Sequence, residues 1–369
     1  MRNRLGPPSP FLIIHHTLHY TQEDMSLALL SETDLLRLIQ LLRPARKVVV
    51  CGHRNPDGDA IGAALAWAEY LQEIHKHVAI VMPNAFPDFL RWLPGSQSVI
   101  CFDKHEQEVG QLFNEADVIC CLDFNSLKRV GDMGAAIASS KAARLMIDHH
   151  LDPDPDAAQI IISHPELCAT CEIVYRLIEQ LGAYDTMSRA GATCLYTGMM
   201  TDTGAFTYNS SRPEIYRIIS MLLKKGINKD RIYRNVFHNY SENRLRFTGY
   251  VLSEKTRFYN NHKASIFTIT REEMKRFHFL RGDAEGLVNM PLQVKGMMLS
   301  ISLREDTDKD VVRVSLRSVD DFPCNKMAEE FFHGGGHLNA SGGELPFPLE
   351  EAIKTAEKAI EAYSPYFSK

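Results

Sequence analysis

Residues 47–59 carry the sequence KVVVCGHRNPDGD, an apolar run that ends in glycine and is followed by a histidine and two aspartates. Short apolar runs of this kind are typical of buried parallel strands. Pro56 and Gly58 favour a tight turn at the end of the strand, and apolar side chains then recur at helical spacing over residues 59–75. The segment therefore predicts a strand over 47–52, a turn and a helix, which together begin an α/β fold.

The same alternation continues on both sides of this segment. A capped amphipathic helix is predicted over 31–43, before the first strand. Further strands are predicted at 78–82, 98–102, 117–122, 144–147 and 159–163. Further helices are predicted at 132–140, 168–181 and 188–200. Alternating strands and helices imply a doubly wound, mostly parallel sheet with helices on both faces.

Beyond residue 212 the pattern changes, which indicates a second domain. Helices are predicted at 213–225 and 229–239, and alternating apolar residues then predict strands at 264–270, 298–304 and 311–317. A helix at 323–332, a glycine-rich loop at 334–343 and a final helix at 349–363 follow. We expect a smaller α/β domain with a mixed sheet.

The chain of 369 residues is longer than one ordinary hydrophobic core requires. We divide it into a first domain, a linker and a second domain at residues 25–234, 235–248 and 249–369. Residues 1–24 are polar, proline-rich and without helical period. A disordered tail is therefore predicted there, rather than a ligand site at its three histidines, and translation from Met25 would remove it.

The composition limits the classes of function. The net charge is −5, whereas proteins that track long nucleic acids carry basic grooves, so a small phosphorylated substrate is favoured over long nucleic acid. No apolar run approaches the ~20 residues that cross a bilayer. The eight cysteines are scattered, which is typical of reduced core thiols in a cytoplasmic protein. Cys168 and Cys171 are spaced as one C-x-x-C, and a structural role is favoured over a zinc site because no second pair accompanies them.

Side chains with oxygen or imidazole ligands follow the predicted strands and one helix. They are His53, Asp57, Asp59, Asp123, the triplet Asp148-His149-His150, and Asp202. Because open α/β sheets bind ligands at the carboxyl ends of their strands, we expect these groups to meet at one edge of the sheet. Helix capping and turn formation would explain Asp57 and Asp59 taken alone. Several carboxylates at one edge, however, repel one another unless cations neutralise them.

The types of ligand predict the metal and the chemistry. Carboxylate and imidazole groups without thiolate favour two divalent ions, manganese first, with magnesium or cobalt as alternatives, over a structural zinc. Two ions bridged by a carboxylate are the arrangement used for in-line displacement at phosphorus. The residues therefore predict a hydrolase that acts on a phosphate ester or anhydride.

These residues, in this order, resemble the four motifs of the DHH phosphoesterase superfamily, which is named for the Asp-His-His triplet. The resemblance implies one metal on His53 and Asp57, a second metal on Asp59, His149 and Asp202, and Asp123 as the bridging ligand. It also implies that Asp148 orients an imidazole and that His150 contacts the substrate phosphate or acts as a general acid. Two departures from the family pattern, at Ala63 and at residues 151–154, remove no ligand.

A second signature lies in the glycine-rich stretch. The run Gly334-Gly335-Gly336-His337, followed by Ser341, resembles the DHH-associated C-terminal domain. Consecutive glycines let backbone N–H groups converge on an anion, and Arg317, at the end of a predicted strand, is expected to clamp a terminal phosphate. The alternative is a flexible turn between two helices. We expect substrate to bind in the cleft between the two domains.

The compact two-domain plan resembles the branch of the superfamily that hydrolyses short RNA oligonucleotides (nanoRNA) and dephosphorylates phosphoadenosine phosphate, by two-metal activation of a bridging hydroxide. A cyclic- or linear-dinucleotide phosphodiesterase of second-messenger turnover is the alternative. A non-catalytic nucleotide sensor is disfavoured because all six metal ligands are present. Expected partners are short oligoribonucleotides and small phosphorylated nucleotides, with no membrane and no long nucleic acid, and the sequence leaves a homodimer open.

Overall fold

The described residues form two compact units, and the division between them lies at residues 239 and 240. The structure is a computed structural model, and it describes residues 27–238, 240–259, 263–280 and 282–368. The predicted tail at 1–24, its three histidines (His15, His16 and His19) and Met25 lie outside the described residues.

In the described part of the first unit, six strands form one parallel sheet. They are β1 (Lys47–Cys51), β2 (His77–Met82), β3 (Val99–Cys101), β4 (Val118–Leu122), β5 (Ala143–Asp148) and β6 (Ile160–Ser163). Their order is β3-β2-β1-β4-β5-β6, and every neighbouring pair is parallel. The direction of strand succession reverses between β1 and β4. Ligands of open α/β sheets bind at such a switch point, beyond the carboxyl ends of the strands.

Helices cover both faces of this sheet, as the alternation of strands and helices along the chain predicts. They are α1 (Glu32–Leu42), α2 (Gly58–Glu73), α3 (Glu106–Glu115), α4 (Met133–Ser139), α5 (Thr170–Gln180), α6 (Arg189–Asp202), α7 (Pro213–Lys224) and α8 (Lys229–Phe237). Successive residues of a strand point to opposite faces. Val48 and Val50 therefore join the core that contains α2, α5 and α6, whereas Val49 and Cys51 join the core that contains α3 and α4. The predicted doubly wound sheet is confirmed, and α3 is a helix that the sequence pattern did not predict.

Small residues let α2 and α6 pack at close range. A Cβ atom added to Gly62 of α2 would lie 2.5 Å from the carbonyl oxygen of Cys194 in α6. A Cβ atom added to Gly198 of α6 would collide with the sulfur of Cys171 and lie 2.9 Å from Oδ1 of Asp59. These glycines therefore allow the end of α6 to lie close to the start of α2.

We expect Gly62→Ala to destabilise the first unit by about 1–3 kcal/mol, the usual cost of overpacking a core, because the added methyl group meets backbone of Cys194 that has to move. Urea unfolding followed by tryptophan fluorescence measures this, since both tryptophans of the chain, Trp67 and Trp92, lie in the first unit. Gly110→Ala in α3 is the matched control, because a Cβ atom there meets nothing within 4 Å. A Gly62→Ala protein as stable as the control would contradict the close packing.

The second unit contains a mixed sheet, as predicted. In its described residues the strands are β7 (Thr256–Tyr259), β8 (Ala264–Ile269), β9 (Leu299–Glu305), β10 (Val311–Ser318), β11 (Gly335–His337) and β12 (Ala340–Pro346). Their order is β11-β12-β10-β9-β8-β7, with β8 and β9 parallel and the other pairs antiparallel. The helices are α9 (Glu242–Tyr250), α10 (Arg271–Arg276), α11 (Cys324–Phe331) and α12 (Leu349–Ala362). Apolar residues of α11 and α12 pack on one face of this sheet.

The glycine-rich segment differs from the predicted loop, because β11 and β12 pair as an antiparallel hairpin. Glycine is depleted in strands, so local propensity does not reveal this hairpin. The close approach of the chain requires glycine here: a Cβ atom on Gly334 would collide with the carbonyl oxygen of Gly342, and one on Gly343 with that of Phe332. Gly336 also adopts a positive φ of 145°, a conformation that side chains disfavour.

The helices of the described residues are of ordinary length, and none is both long and apolar enough to cross a lipid bilayer. The segment predicted as a linker, 235–248, contains the end of α8 and most of α9. Asp202, which we predict just beyond the helix at 188–200, is instead the last residue of α6. The helix is thus two residues longer at this end than predicted and includes this carboxylate.

Candidate metal centre

His53 follows β1 and presents one ring nitrogen to two carboxylates. Its Nδ1 lies 2.9 Å from the carbonyl oxygen of Arg54. Because a carbonyl oxygen only accepts hydrogen bonds, Nδ1 carries a proton. The other nitrogen, Nε2, lies 3.6 Å from Oδ2 of Asp57 and 3.4 Å from Oδ2 of Asp123. The backbone thus fixes the direction in which the imidazole faces.

Asp57 caps α2 and contacts the site at the same time. Its Oδ1 accepts hydrogen bonds from the backbone N–H groups of Asp59 and Ala60, at 3.0 and 3.1 Å. The turn before it contains Asn55 at a positive φ of 58°, and Asn84 exchanges two hydrogen bonds with this residue. Helix capping and a functional role are therefore compatible, since one oxygen caps the helix while the other faces His53.

Asp123 lies between two histidines directly after β4. Its backbone has a positive φ of 63°, a conformation uncommon for residues other than glycine that often marks functional sites. Its Oδ2 faces His53, and its Oδ1 lies 3.6 Å from Nε2 of His149. The carboxylate is buried, so each of its oxygens contacts a separate set of potential ligands.

His149 follows β5 and is oriented in the same way as His53. Its Nδ1 lies 3.3 Å from the carbonyl oxygen of Leu167. Its Nε2 lies 3.9 Å from Oδ2 of Asp59 and 3.5 Å from Oδ2 of Asp202. Together with Asp123, which follows β4, these carboxylates of α2 and α6 surround this nitrogen.

Asp148, the last residue of β5, holds the neighbouring histidine. Its Oδ1 lies 2.7 Å from Nδ1 of His150, and its Oδ2 accepts the backbone N–H of His150 at 3.1 Å. Asp148 is fully buried. The pair resembles the carboxylate–histidine arrangements that fix the tautomer and the direction of an imidazole.

Asp59 is held by the start of α5. Its Oδ2 accepts the backbone N–H of Thr170 at 2.6 Å, and its Oδ1 accepts that of Cys171 at 2.9 Å. The hydroxyl of Thr170 donates to Oδ1 of Asp123 at 3.0 Å. Thr170 does not stand out in the sequence, because a threonine at the start of a predicted helix is ordinary and only the fold places it beside these carboxylates.

The carboxylates carry more negative charge than the protein neutralises. Burial and the nearby charges of Asp123 and Asp202 raise the pKa of Asp59 well above its usual range. Burial alone would lower the pKa of His149, but the surrounding carboxylates outweigh it and raise this pKa to about 9. Both pKa shifts have the same cause, which is a shortage of positive charge near the carboxylates. Protons bound to Asp59 and His149 supply positive charge, and a bound cation would displace them.

The set of donors fits divalent cations. Within the described residues, ligand atoms of His53, Asp57 and Asp123 lie within 4.8 Å of one another, and so do those of Asp59, Asp123 and His149. Carboxylate oxygens and imidazole nitrogens suit manganese or magnesium. Asp57 and Asp202 are 46% and 30% exposed at their side chains, so the site opens to solvent on their side.

The two cysteines of the C-x-x-C motif are buried in the core. Cys168 precedes α5 and Cys171 lies in its first turn, and both side chains are buried. Burial raises the pKa of both thiols, which keeps them protonated. The thiol of Cys171 lies 3.6 Å from the carbonyl oxygen of Asp59, and neither cysteine belongs to a group of potential metal ligands in the described residues.

The residues selected in the second unit divide between two faces of its sheet. Arg317 of β10 and His337 of β11 are both in register with Ala340 of β12, so they lie on one face, two strands apart. Ser341 is in register with Leu316 instead and lies on the opposite face. Its buried hydroxyl donates to the carbonyl oxygen of His337 at 2.8 Å, which ties the hairpin together.

Comparison with known proteins follows this division of the chain. Residues 47–199 match the model of the DHH family, N-terminal domain, and residues 275–363 match the model of the DHHA1 domain. The bifunctional oligoribonuclease and PAP phosphatase NrnA of Thermus thermophilus is 28% identical over 315 residues, which cover 85% of this chain and 89% of that protein.

Two further similarities concern a solved structure and a longer enzyme. A crystal structure of an exopolyphosphatase-related protein from Bacteroides fragilis is 49% identical, with a TM-score of 0.88 over 92% of this chain and 98% of that one. The cyclic-di-AMP phosphodiesterase GdpP of Geobacillus thermodenitrificans is 23% identical over 344 residues, which cover 88% of this chain and 49% of that enzyme.

Proposed function

Because this chain belongs to the DHH family, we propose that it is a metal-dependent phosphoesterase that hydrolyses short RNA oligonucleotides to mononucleotides and removes a phosphate from phosphoadenosine phosphate. The observation that carries the proposal is the position of the buried Asp123 carboxylate. One of its oxygens faces His53 and the other faces His149. The similarity to an oligoribonuclease and PAP phosphatase along most of the chain supports the class of substrate.

We assign the ligands to two divalent ions, with manganese as the expected metal. His53, Asp57 and Asp123 would hold one ion, and Asp123, Asp59, His149 and Asp202 the other. Bound ions would supply Lewis-acid polarisation of the phosphate and a water of lowered pKa. The protein contributes the direction of each ligand, because backbone carbonyl oxygens hold both histidines through Nδ1. It also supplies the buried carboxylate of Asp123, which would be a ligand of both ions.

His150 acts as the proton donor to the leaving oxygen in this proposal. Asp148 engages Nδ1 of its ring and its backbone N–H, so the ring is oriented with Nε2 as the nitrogen that exchanges a proton. A general acid positioned in this way contributes about 10²–10⁴-fold to a rate.

We expect Asp148→Asn to lower kcat by about 10²-fold or more, because an amide can donate as well as accept and so no longer fixes the tautomer and direction of the His150 ring. The affinity for Mn²⁺, measured by calorimetry, should stay close to that of the wild type, because Asp148 is not an assigned ligand. His150→Ala and the double variant complete the cycle. If the two residues act as one unit, the double variant is no slower than the slower single variant, and additive losses would contradict the pairing.

Arg317 and His337 serve substrate recognition in this proposal. They lie on one face of the second sheet on either side of Ala340, and a guanidinium with an imidazole provides several donors for a phosphate. The backbone N–H of Gly334 already donates to the carbonyl oxygen of Ala328 at 3.1 Å. Any backbone N–H group for the substrate would therefore come from Gly335 or Gly336. Ser341 lies on the opposite face, so its contribution is to hold the hairpin rather than to contact the substrate.

A cyclic- or linear-dinucleotide phosphodiesterase is the second candidate function. It is supported by the similarity to GdpP across 88% of this chain. The same two ions and the same phosphate contacts would serve such a substrate, so the distinction rests on which substrate is turned over.

Chromatographic analysis of products tests the proposal. The enzyme is incubated with Mn²⁺, or with EDTA as control, and with a 5′-phosphorylated RNA dinucleotide, phosphoadenosine phosphate or cyclic di-AMP. Mononucleotides from the dinucleotide and adenosine monophosphate from phosphoadenosine phosphate support the first function. Cleavage of the cyclic substrate alone supports the second, and no metal-dependent product from any of them would contradict both.

A further inference from the structure

The first residue of α5 contacts both carboxylates at the centre of the site. The backbone N–H of Thr170 donates to Asp59, and the hydroxyl of Thr170 donates to Oδ1 of Asp123 at 3.0 Å. Thr170 is fully buried, so no water competes for this hydroxyl. Its backbone and its side chain therefore have separate roles. Any residue except proline can supply the N–H for Asp59, whereas the donor for Asp123 comes from the hydroxyl of this side chain.

We propose that Thr170 is a positioning residue whose hydroxyl fixes the rotation of the Asp123 carboxylate. This proposal rests on the proposed function, in which that carboxylate is shared by two ions. With Oδ1 held by Thr170, Oδ1 stays beside His149 and Oδ2 stays beside His53. Rotation of the carboxylate would turn its oxygens away from these two directions.

A neutral donor suits this task better than a charged one. A lysine or arginine would also bind Asp123, but its charge would compete with the ions for the same carboxylate. A hydroxyl orders the carboxylate and leaves its negative charge available. Threonine is branched at Cβ, which restricts its χ1 angle, so the direction of its hydroxyl is defined before any ion binds.

The position of Thr170 is itself held from the same helix. Glu172, fully buried in the first turn of α5, accepts the backbone N–H of Cys168 at 2.9 Å. Arg176 and Arg212 in turn donate to this carboxylate. The start of α5 is thus anchored on both sides of Thr170, which keeps its hydroxyl within reach of Asp123.

The test compares Thr170→Val with Thr170→Ser. Valine matches threonine in shape and lacks the hydroxyl, whereas serine restores it. Binding of Mn²⁺ by calorimetry is the main measurement, and unfolding in EDTA, followed by tryptophan fluorescence, reports the fold without metal. We expect Thr170→Val to bind Mn²⁺ about 10–100-fold more weakly, the usual effect of losing a residue that orients a ligand. Thr170→Ser should remain close to the wild type, and the kcat values should follow the same order.

Three results would overturn the inference. The first is wild-type affinity for Mn²⁺ in Thr170→Val, even with lowered stability, because the residue would then be only structural. The second is equal weakening in the valine and serine variants, because the hydroxyl would then not be the cause. Thr170→Ala, which also lacks the hydroxyl, replaces the valine variant if that protein does not fold. The third is a wild-type protein that binds no Mn²⁺ and turns over none of the substrates. This result would contradict the proposed function itself.

Discussion

Asp123→Asn is expected to lower kcat/KM for a short RNA substrate by about 10³-fold, the upper range for loss of one preorganised electrostatic group. The substitution keeps the size of the side chain and removes the negative charge between His53 and His149. Asparagine tolerates a positive φ well, so the backbone at 63° is not strained further. Alanine would remove the charge and also leave the hydroxyl of Thr170 without its acceptor.

The measurement is turnover of a 5′-phosphorylated RNA dinucleotide with Mn²⁺, together with calorimetry and thermal unfolding in EDTA. Asp185→Asn is the matched control. Asp185 is exposed and precedes the first residue of α6, whereas Asp202 is the last residue of α6, so the length of this helix, ~20 Å, separates Asp185 from the site. The control should turn over substrate like the wild type. If Asp123→Asn retained substantial turnover with its fold intact, the shared carboxylate would not carry the reaction.

Glu172→Ala is expected to destabilise the first unit by about 3–5 kcal/mol, the usual cost of removing one partner of a buried ion pair. Glu172 is fully buried and accepts two hydrogen bonds from Arg176, at 3.0 and 2.5 Å, and one from Arg212 at 2.6 Å. Without the carboxylate, the guanidinium of Arg176 remains buried without compensation. The N–H of Cys168 also loses its acceptor.

Urea unfolding followed by tryptophan fluorescence reports this loss, because both tryptophans lie in the first unit. Glu115→Ala is the control: Glu115 forms an ion pair with Lys47 at 2.7 Å, but both side chains are more than half exposed, so no measurable shift of the midpoint is expected. If the two substitutions lowered the stability to urea equally, burial would not explain the contribution of Glu172 to stability.

The contribution of Glu172 should also depend on pH. Burial opposes ionisation, but the N–H of Cys168 and the charges of Arg176 and Arg212 outweigh it and lower the pKa of Glu172 below its usual 4.5. A lowered pKa means that the stabilisation is fully present above pH 4.5 and is lost as the pH falls through the pKa of the folded state. The difference in stability between wild type and Glu172→Gln should therefore narrow below pH 4.5.

Features that depend on a short stretch of the sequence could be predicted. The apolar runs identified all six strands of the first sheet, because a strand buried on both faces needs apolar residues at successive positions. The residues that follow these strands are predicted to meet at one edge of the sheet, and His53, Asp123 and His149 lie close together in the structure. Adjacent parallel strands bring their carboxyl ends to one edge, so local pattern and a general rule of topology were sufficient.

The glycine-rich hairpin and the face of Ser341 could not be predicted. Gly335–His337 pairs with a strand that begins after a two-residue turn, and its glycines carry no side-chain pattern that indicates a strand. The requirement for glycine comes from other parts of the chain, such as the carbonyl oxygen of Phe332. Register with β10 then decides that Arg317 and Ser341 point to opposite faces.

The fold class, the family and the candidate metal ligands could be read from the sequence alone, because these depend on residue types and on spacing along the chain. The orientation of the candidate ligands depends on the tertiary structure. Asp123 and Thr170 are 47 residues apart, and their hydrogen bond exists only because β4 and α5 pack together. The direction of a buried carboxylate depends on which donors surround it in space, and those donors come from segments whose proximity no local pattern encodes.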